Sequence, residues 1–161
     1  GEVMGIDSDF GKAYYKAQAA SYMNLPKKGN VLLSIGRDRN KDFFVPIAKD
    51  LVKLGFDVYC TEGTQEFLSS KGINAKAVPK VHEDPKIIDM MKGKKLDMII
   101  IIPSGSGVGS DGYKIRRGCV EMGIPYVTTK PGTLAYVSAI KSFIKGDISV
   151  DNLEDYYKRF N

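Results

Sequence analysis

Val58-Tyr59-Cys60-Thr61-Glu62-Gly63-Thr64-Gln65-Glu66-Phe67-Leu68 is the stretch that decides the fold. A strand-like apolar run ends in the small-residue loop Thr61-Glu62-Gly63-Thr64 and passes directly into a helix-forming segment. The pattern recurs at Met98-Ile99-Ile100-Ile101-Ile102, which ends in Pro103-Ser104-Gly105-Ser106-Gly107. Where a parallel strand hands over to a helix, free backbone N–H groups and the positive end of the helix dipole face outward, and an anion is the natural guest. Hydroxyls at Thr61 and Thr64 add donors, and Gly63 lets a ligand approach the backbone. Both runs point to a small-anion or nucleotide pocket at the C-terminal edge of a parallel sheet.

Working outward, strands and helices alternate along the whole chain. Asp9 or Ser8 caps a helix over Phe10 to Ala20. Leu25 to Asn30 reads as a linker or turn, and Val31 to Ile35 as a strand covered on both faces. A polar loop leads to a helix over Asp42 to Leu54, stopped by Gly55. Further strands are expected over Phe56 to Cys60, Ala75 to Val78, Leu96 to Ile102 and Ile124 to Val127. Helices are expected over Thr64 to Ser70, Pro85 to Met91, Ser110 or Asp111 to Met122, Thr133 to Phe143, and Val150 to Phe160. This alternation means a three-layer α/β/α domain on a five-stranded parallel sheet with right-handed crossovers, Rossmann-like in outline.

The 161 residues are enough to bury a real core, and 43% apolar with 27% charged residues is ordinary for a folded domain rather than a disordered one. No apolar run approaches the roughly 20 residues of a membrane span. The opening Gly1-Glu2-Val3-Met4-Gly5-Ile6-Asp7 shows no signal-peptide pattern and reads as the interior of a longer polypeptide. Two isolated cysteines, Cys60 and Cys119, lack metal-ligand spacing and fit a reducing cytoplasm. The net charge of +5 comes from scattered lysines without an aromatic platform, so neither nucleic acid nor membrane is expected as a partner. A binder of small anions accounts for the basicity equally well.

Ser34 closes the first strand, Lys41 opens the next helix, and Lys80 follows the third strand, so each can meet the anion held by Thr61, Gly63 and Thr64. The plainer readings are solvated lysines and a helix capped by Thr61 or Thr64. His82, the single histidine, has no Ser or Cys nucleophile at recognisable spacing and reads as a surface residue flanking a helix. Cys119 falls on the apolar side of its helix and reads as core. Ser104 to Gly109 lacks the Lys-Ser/Thr of a Walker motif and reads as a rim or lid loop.

The combination of Gly1 to Gly5, Lys16-Ala17-Gln18, Leu33-Ser34, Thr61 to Thr64, Val81-His82-Glu83, Ile115-Arg116-Arg117 and Thr128-Thr129, in this order and spacing, closely resembles one family. That family is the C-terminal allosteric part of the carbamoyl-phosphate synthetase large chain, with the methylglyoxal synthase-like fold. The resemblance covers essentially the whole chain. It implies that residues 1–27 are the end of a preceding synthetase domain with its linker, and that 28–161 are the regulatory domain. It implies an effector phosphate held by Ser34, Lys41, Thr61, Gly63, Thr64 and Lys80, with a rim of Ile101, Pro103, Ser104 and Gly105. Tyr126 and Thr128 match positions that help bind ornithine at the interface with the synthetase domain.

The same resemblance implies a parent enzyme that makes carbamoyl phosphate from bicarbonate, ATP and glutamine-derived ammonia, for pyrimidine and arginine biosynthesis. Its synthetase domains would use ATP, Mg2+ or Mn2+, and K+, whereas this part would need no cofactor and would bind without turnover. Expected partners are a phosphorylated effector such as UMP, IMP or phosphoribosyl pyrophosphate, the synthetase domains and the glutaminase small chain, with an oligomer also open. One departure matters: Ile101-Ile102-Pro103 stand where the bacterial pattern has Asn followed by two Thr, and an aliphatic side chain neither donates nor accepts a hydrogen bond. Lys80 and the Ser104 to Gly109 loop favour a phosphorylated effector over N-acetylglutamate. The other alternative is a methylglyoxal synthase-type lyase acting on dihydroxyacetone phosphate, but that family's first-strand His and Gly-Asp pair are missing.

Overall fold

β1 (Gly29–Ile35) and β4 (Met98–Ile102) form the centre of the sheet, because their residues are apolar on both faces. Val31 and Leu33 of β1, with Met98 and Ile100 of β4, point into one core. Leu32, Ile99 and Ile101 point into the other. A strand buried on both sides reads as a continuous apolar run rather than an alternating one. The computed structural model describes residues 2–36, 41–102, 109–146 and 148–160.

The remaining strands are β2 (Phe56–Thr61), β3 (Lys76–Val78) and β5 (Tyr126–Val127). All pairings are parallel, and the spatial order is β3-β2-β1-β4-β5. The chain moves outward in one direction from β1 to β3, then crosses back to β4 and continues to β5. The order therefore reverses between β1 and β4, where the connecting loops diverge and leave a crevice at the carboxyl ends of the strands.

Helices cover both faces. A single 3₁₀ turn, Lys41–Phe43, precedes α2 (Phe44–Lys53), which buries Phe44, Ile47, Ala48 and Leu51 against the first core. α3 (Glu62–Ser70) adds Leu68 to the same core, and α6 (Lys130–Lys145) adds Tyr136, Val137, Ala139 and Ile140. α4 (Lys86–Lys92) and α5 (Asp111–Met122) cover the opposite face through Ile87, Met91, Ile115 and Cys119. This is the three-layer α/β/α arrangement with a five-stranded parallel sheet expected from the alternation.

α1 (Phe10–Ala20) runs over the residues expected and packs against α6, with Tyr14 edge-on to Tyr136 and Tyr15 stacked on Phe143. α7 (Leu153–Phe160) returns to the N-terminal segment, where Tyr156 donates to the Ile6 carbonyl at 3.1 Å.

Element ends differ where local chemistry overrides periodicity. α6 starts three residues before the expected Thr133, because Thr129 caps it by accepting from Gly132 N–H and Pro131 fits the first turn. α3 starts at Glu62 rather than Thr64, so Gly63 and Thr64 lie inside its first turn. Pro85 occupies the N-cap of α4 rather than its first turn.

Candidate functional site

The crevice between β1 and β4 opens into a cavity of about 710 Å³ at the carboxyl edge of the sheet. Ser34 from the end of β1, Lys41 from the 3₁₀ turn, Thr61, Gly63 and Thr64 from the β2–α3 junction, and Lys80 from the loop after β3 all line it. Four separate stretches of chain thus bring the six predicted phosphate-site residues to one cavity. Ile101 and Ile102 form its wall at the end of β4, and Ile87 and Ile115 add apolar surface from α4 and α5. Ser110, Asp111 and Gly112, at the start of α5, complete it.

The β2–α3 junction has the features of an anion cradle. Thr61 occupies the N-cap position of α3 with extended backbone, yet its side chain makes no capping hydrogen bond. The first N–H groups of a helix have no intrahelical partner, and here the usual side-chain substitute is missing at the end that lines the cavity. Thr64 is 2% exposed, an unusual degree of burial for a polar residue in a first turn. A Cβ placed on Gly63 would meet nothing within 4 Å, and its backbone is not in the left-handed region. Neither packing nor backbone geometry demands a glycine there, so its benefit is the open approach it leaves to the backbone. The N-terminus of α5 differs, since Ser110 caps it by accepting from Tyr113 N–H at 3.2 Å.

The cations at the cavity have partners within the protein. Lys41 Nζ donates to the Gly63 carbonyl at 3.0 Å, which ties the 3₁₀ turn to the cradle. Lys80 Nζ lies 3.1 Å from Glu83 Oε1. The Lys80 ammonium and backbone N–H hold the Glu83 carboxyl below its usual range.

His82 is exposed and flanks α4, as expected, but the sequence reading missed its place at the cavity. Its Nδ1 lies 2.7 Å from Asp111 Oδ2 on α5, a contact between residues 29 apart that no local pattern announces. The signal available was position: His82 follows β3 at the same sheet edge as the Thr-Glu-Gly-Thr junction.

Other predicted positions fall elsewhere. Tyr126 lies in β5 at the sheet edge, where its carbonyl accepts from Tyr136 Oη at 2.8 Å, and Thr128 follows it; neither lines the cavity. Pro103, Ser104 and Gly105 lie outside the described residues, while Gly109 reaches the cavity rim. Cys60 and Cys119 are both buried, and burial pushes their thiols up to about 11 and about 12. Among the described residues, no three His, Cys, Asp or Glu side chains gather as a metal-binding group. Nor is any helix there long and apolar enough to cross a membrane.

A parallel sheet with a cavity of mixed polar and apolar lining at its switch point is the arrangement in which open α/β domains commonly hold small ligands. The family model of the MGS-like domain matches residues 43–128, and the chain belongs to that family. Its relatives make the assignment more particular. It is 48% identical over 96% of its length to the carbamoyl phosphate synthase large chain, C-terminal section, of Methanocaldococcus jannaschii. It is 45% identical over 98% of its length to the protein of the same name from Aquifex aeolicus. The carbamoyl phosphate synthase large chain of Archaeoglobus fulgidus is 40% identical over 98% of this chain. The chain spans 25%, 30% and 15% of these three relatives respectively. The crystal structure of ForH superposes with a TM-score of 0.51 at 14% identity, over 71% of this chain and 79% of that one, a likeness of fold alone.

Proposed function

We propose that this chain is the effector-binding regulatory part of a carbamoyl phosphate synthase large chain, and that its cavity takes the phosphate of a phosphorylated effector such as UMP, IMP or phosphoribosyl pyrophosphate. The observation that carries the reading is the convergence of Lys41, Lys80, the uncapped start of α3 and the bare backbone at Gly63 on one cavity. Its volume lies within the range usual for small-molecule sites. Two lysines, two threonine hydroxyls and a helix N-terminus suit a phosphate dianion. Ile101, 1% exposed, offers only apolar contact to whatever follows the phosphate. This wall favours an effector held chiefly by its phosphate and sugar.

In this reading the effector acts by linkage. It prefers one conformation of the whole synthetase, and a coupling of about 1–3 kcal/mol shifts activity at distant sites. Residues 1–27 are then the end of the synthetase part with its linker, and 28–161 the regulatory domain. Synthetase and glutaminase partners, ATP with its metals, the carbamoyl phosphate chemistry and the cytoplasmic setting belong to the longer protein. Tyr126 and Thr128 serve the ornithine-binding interface.

Calorimetric titration of the chain with UMP, IMP, phosphoribosyl pyrophosphate and N-acetylglutamate tests the reading. Saturable binding of a phosphorylated ligand is expected, weakened about tenfold or more by Thr64→Ala and by Lys80→Ala, since a charge-assisted hydrogen bond contributes about 1.5–3 kcal/mol. Binding of N-acetylglutamate alone, or of a phosphorylated ligand with unchanged affinity in both variants, would reject it.

A further inference from the structure

Beside the cavity, one carboxylate oxygen lies between an ammonium and an imidazole. Glu83 Oε1 lies 3.1 Å from Lys80 Nζ and 3.6 Å from His82 Nε2. The other ring nitrogen of His82 lies 2.7 Å from Asp111 Oδ2. Among the described residues, the charged groups facing the imidazole are therefore Glu83 and Lys80 on its own loop and Asp111 on α5. Lys41 lines the same cavity, and α4 contributes only Ile87 to it. Glu83 thus serves as counter-ion to a lysine that an incoming anion needs, and it can find a second cation only if His82 is protonated. A neutral imidazole donates one N–H, which the close contact assigns to Asp111; an imidazolium donates two, and the second points to Glu83. Imidazole is the side chain that ordinarily changes charge between about pH 5 and 8.

We propose that His82 is a proton-responsive arm of this cavity: anion binding draws a proton from solvent onto His82, which takes over Glu83 and releases Lys80 to the ligand. The inference rests on the anion-binding reading above and adds a proton to it. Proton uptake per anion is fractional, at most about half a proton for a one-unit rise in the midpoint, and affinity rises as pH falls through the imidazole range. The groups are half-exposed, so water and salt screen the exchange and keep the effect modest.

Because the chain has a single histidine, its ring carbon–proton signal in an NMR spectrum reports this site alone. Sulfate is the probe, since it remains a dianion from pH 5.5 to 8 and contributes no titration of its own. Saturating sulfate should raise the His82 midpoint by about half a unit to one unit, and sulfate affinity should be about three- to tenfold higher at pH 5.5 than at pH 8. His82→Gln should bind at the weaker level throughout, with no pH dependence. Glu83→Gln should bind at pH 8 about as well as the unaltered chain does at pH 5.5, because Lys80 then has no competitor.

Saturable sulfate binding with the same affinity at both pH values would overturn the proton coupling while leaving the anion site standing. A pH dependence that survives His82→Gln, or an affinity that falls at pH 8 in Glu83→Gln, would overturn the exchange at these residues. Absence of binding by both sulfate and UMP at every pH would remove the anion site, and the proton coupling with it.

Discussion

Gly63 separates a role in binding from a role in folding. It lies in the first turn of α3, where alanine is the better helix former, and a methyl there would contact nothing in the protein. Gly63→Ala should therefore leave stability unchanged or raise it by up to about 0.5–1 kcal/mol. In the proposed site the methyl would stand where the anion approaches the backbone, so the change should also weaken binding of UMP or sulfate. Thermal unfolding and calorimetry on the same variant check both halves. The Thr61 hydroxyl belongs to the same logic: it occupies the cap position without capping, which keeps it available to a guest.

At the scale of elements, the seam between α1 and α6 depends on Gly11. This residue is buried, and a Cβ there would lie 2.6 Å from the Ser138 carbonyl oxygen and 2.4 Å from Ser142 Oγ. A carbonyl within a helix cannot step aside, so Gly11→Ala must push the helices apart. Overpacking of this kind costs about 1–3 kcal/mol, or roughly 2–12 °C in midpoint for a chain of this size. Thermal unfolding should register that loss, while sulfate binding at the proposed site, which neither Gly11 nor Ser138 and Ser142 line, should stay intact. Val31 to Ile35, interrupted only by Ser34, was legible as a strand covered on both faces, and Leu96 to Ile102 as a strand, from their apolar residues. The start of α6 was not, because the Thr129 cap lies upstream of the apolar spacing that marks a helix interior, and α3 begins two residues early without a side-chain cap.

At the scale of the molecule, one cluster joins the two ends of the chain. Lys16 on α1 pairs with Asp7 at 2.8 Å, donates to the Ile6 carbonyl at 2.9 Å and lies 3.1 Å from Tyr156 Oη on α7. The Lys16 and Asp7 side chains are only 18% and 8% exposed, so this pair is not a screened surface bridge. Burial works most strongly against both charges, but their mutual hydrogen bond, the Asp9 N–H on Asp7, the Tyr156 hydroxyl on Lys16 and charge attraction together outweigh it, holding Asp7 below its usual range and Lys16 above its own. A carboxyl lowered in the folded state contributes stability above its unfolded value, near pH 4, and loses it as pH falls through the folded value. The raised lysine contributes below about pH 10.5 and loses its share above that. Lys16→Met should thus cost about 2–3 kcal/mol at pH 7, and the difference from the unaltered chain should shrink below about pH 4. Unfolding midpoints of the two proteins from pH 2.5 to 8 measure it; a constant difference would reject the ion pair as the cause.

The sequence by itself determined the α/β class and the parallel sheet, and it marked the Thr-Glu-Gly-Thr junction as a strand-to-helix hand-over at the sheet edge. Each of these is written in residues close together in the chain, where period, caps and turn chemistry act locally. Ser34, Lys41 and Lys80 were expected to meet that junction from their places at strand ends, and the tertiary structure brings them to one cavity because the strand order carries their loops to the same switch point. Tertiary structure alone paired His82 with Asp111 and Lys16 with Tyr156, contacts 29 and 140 residues apart. Such contacts depend on how helices dock across the sheet, and a loop residue's own neighbours carry no record of that.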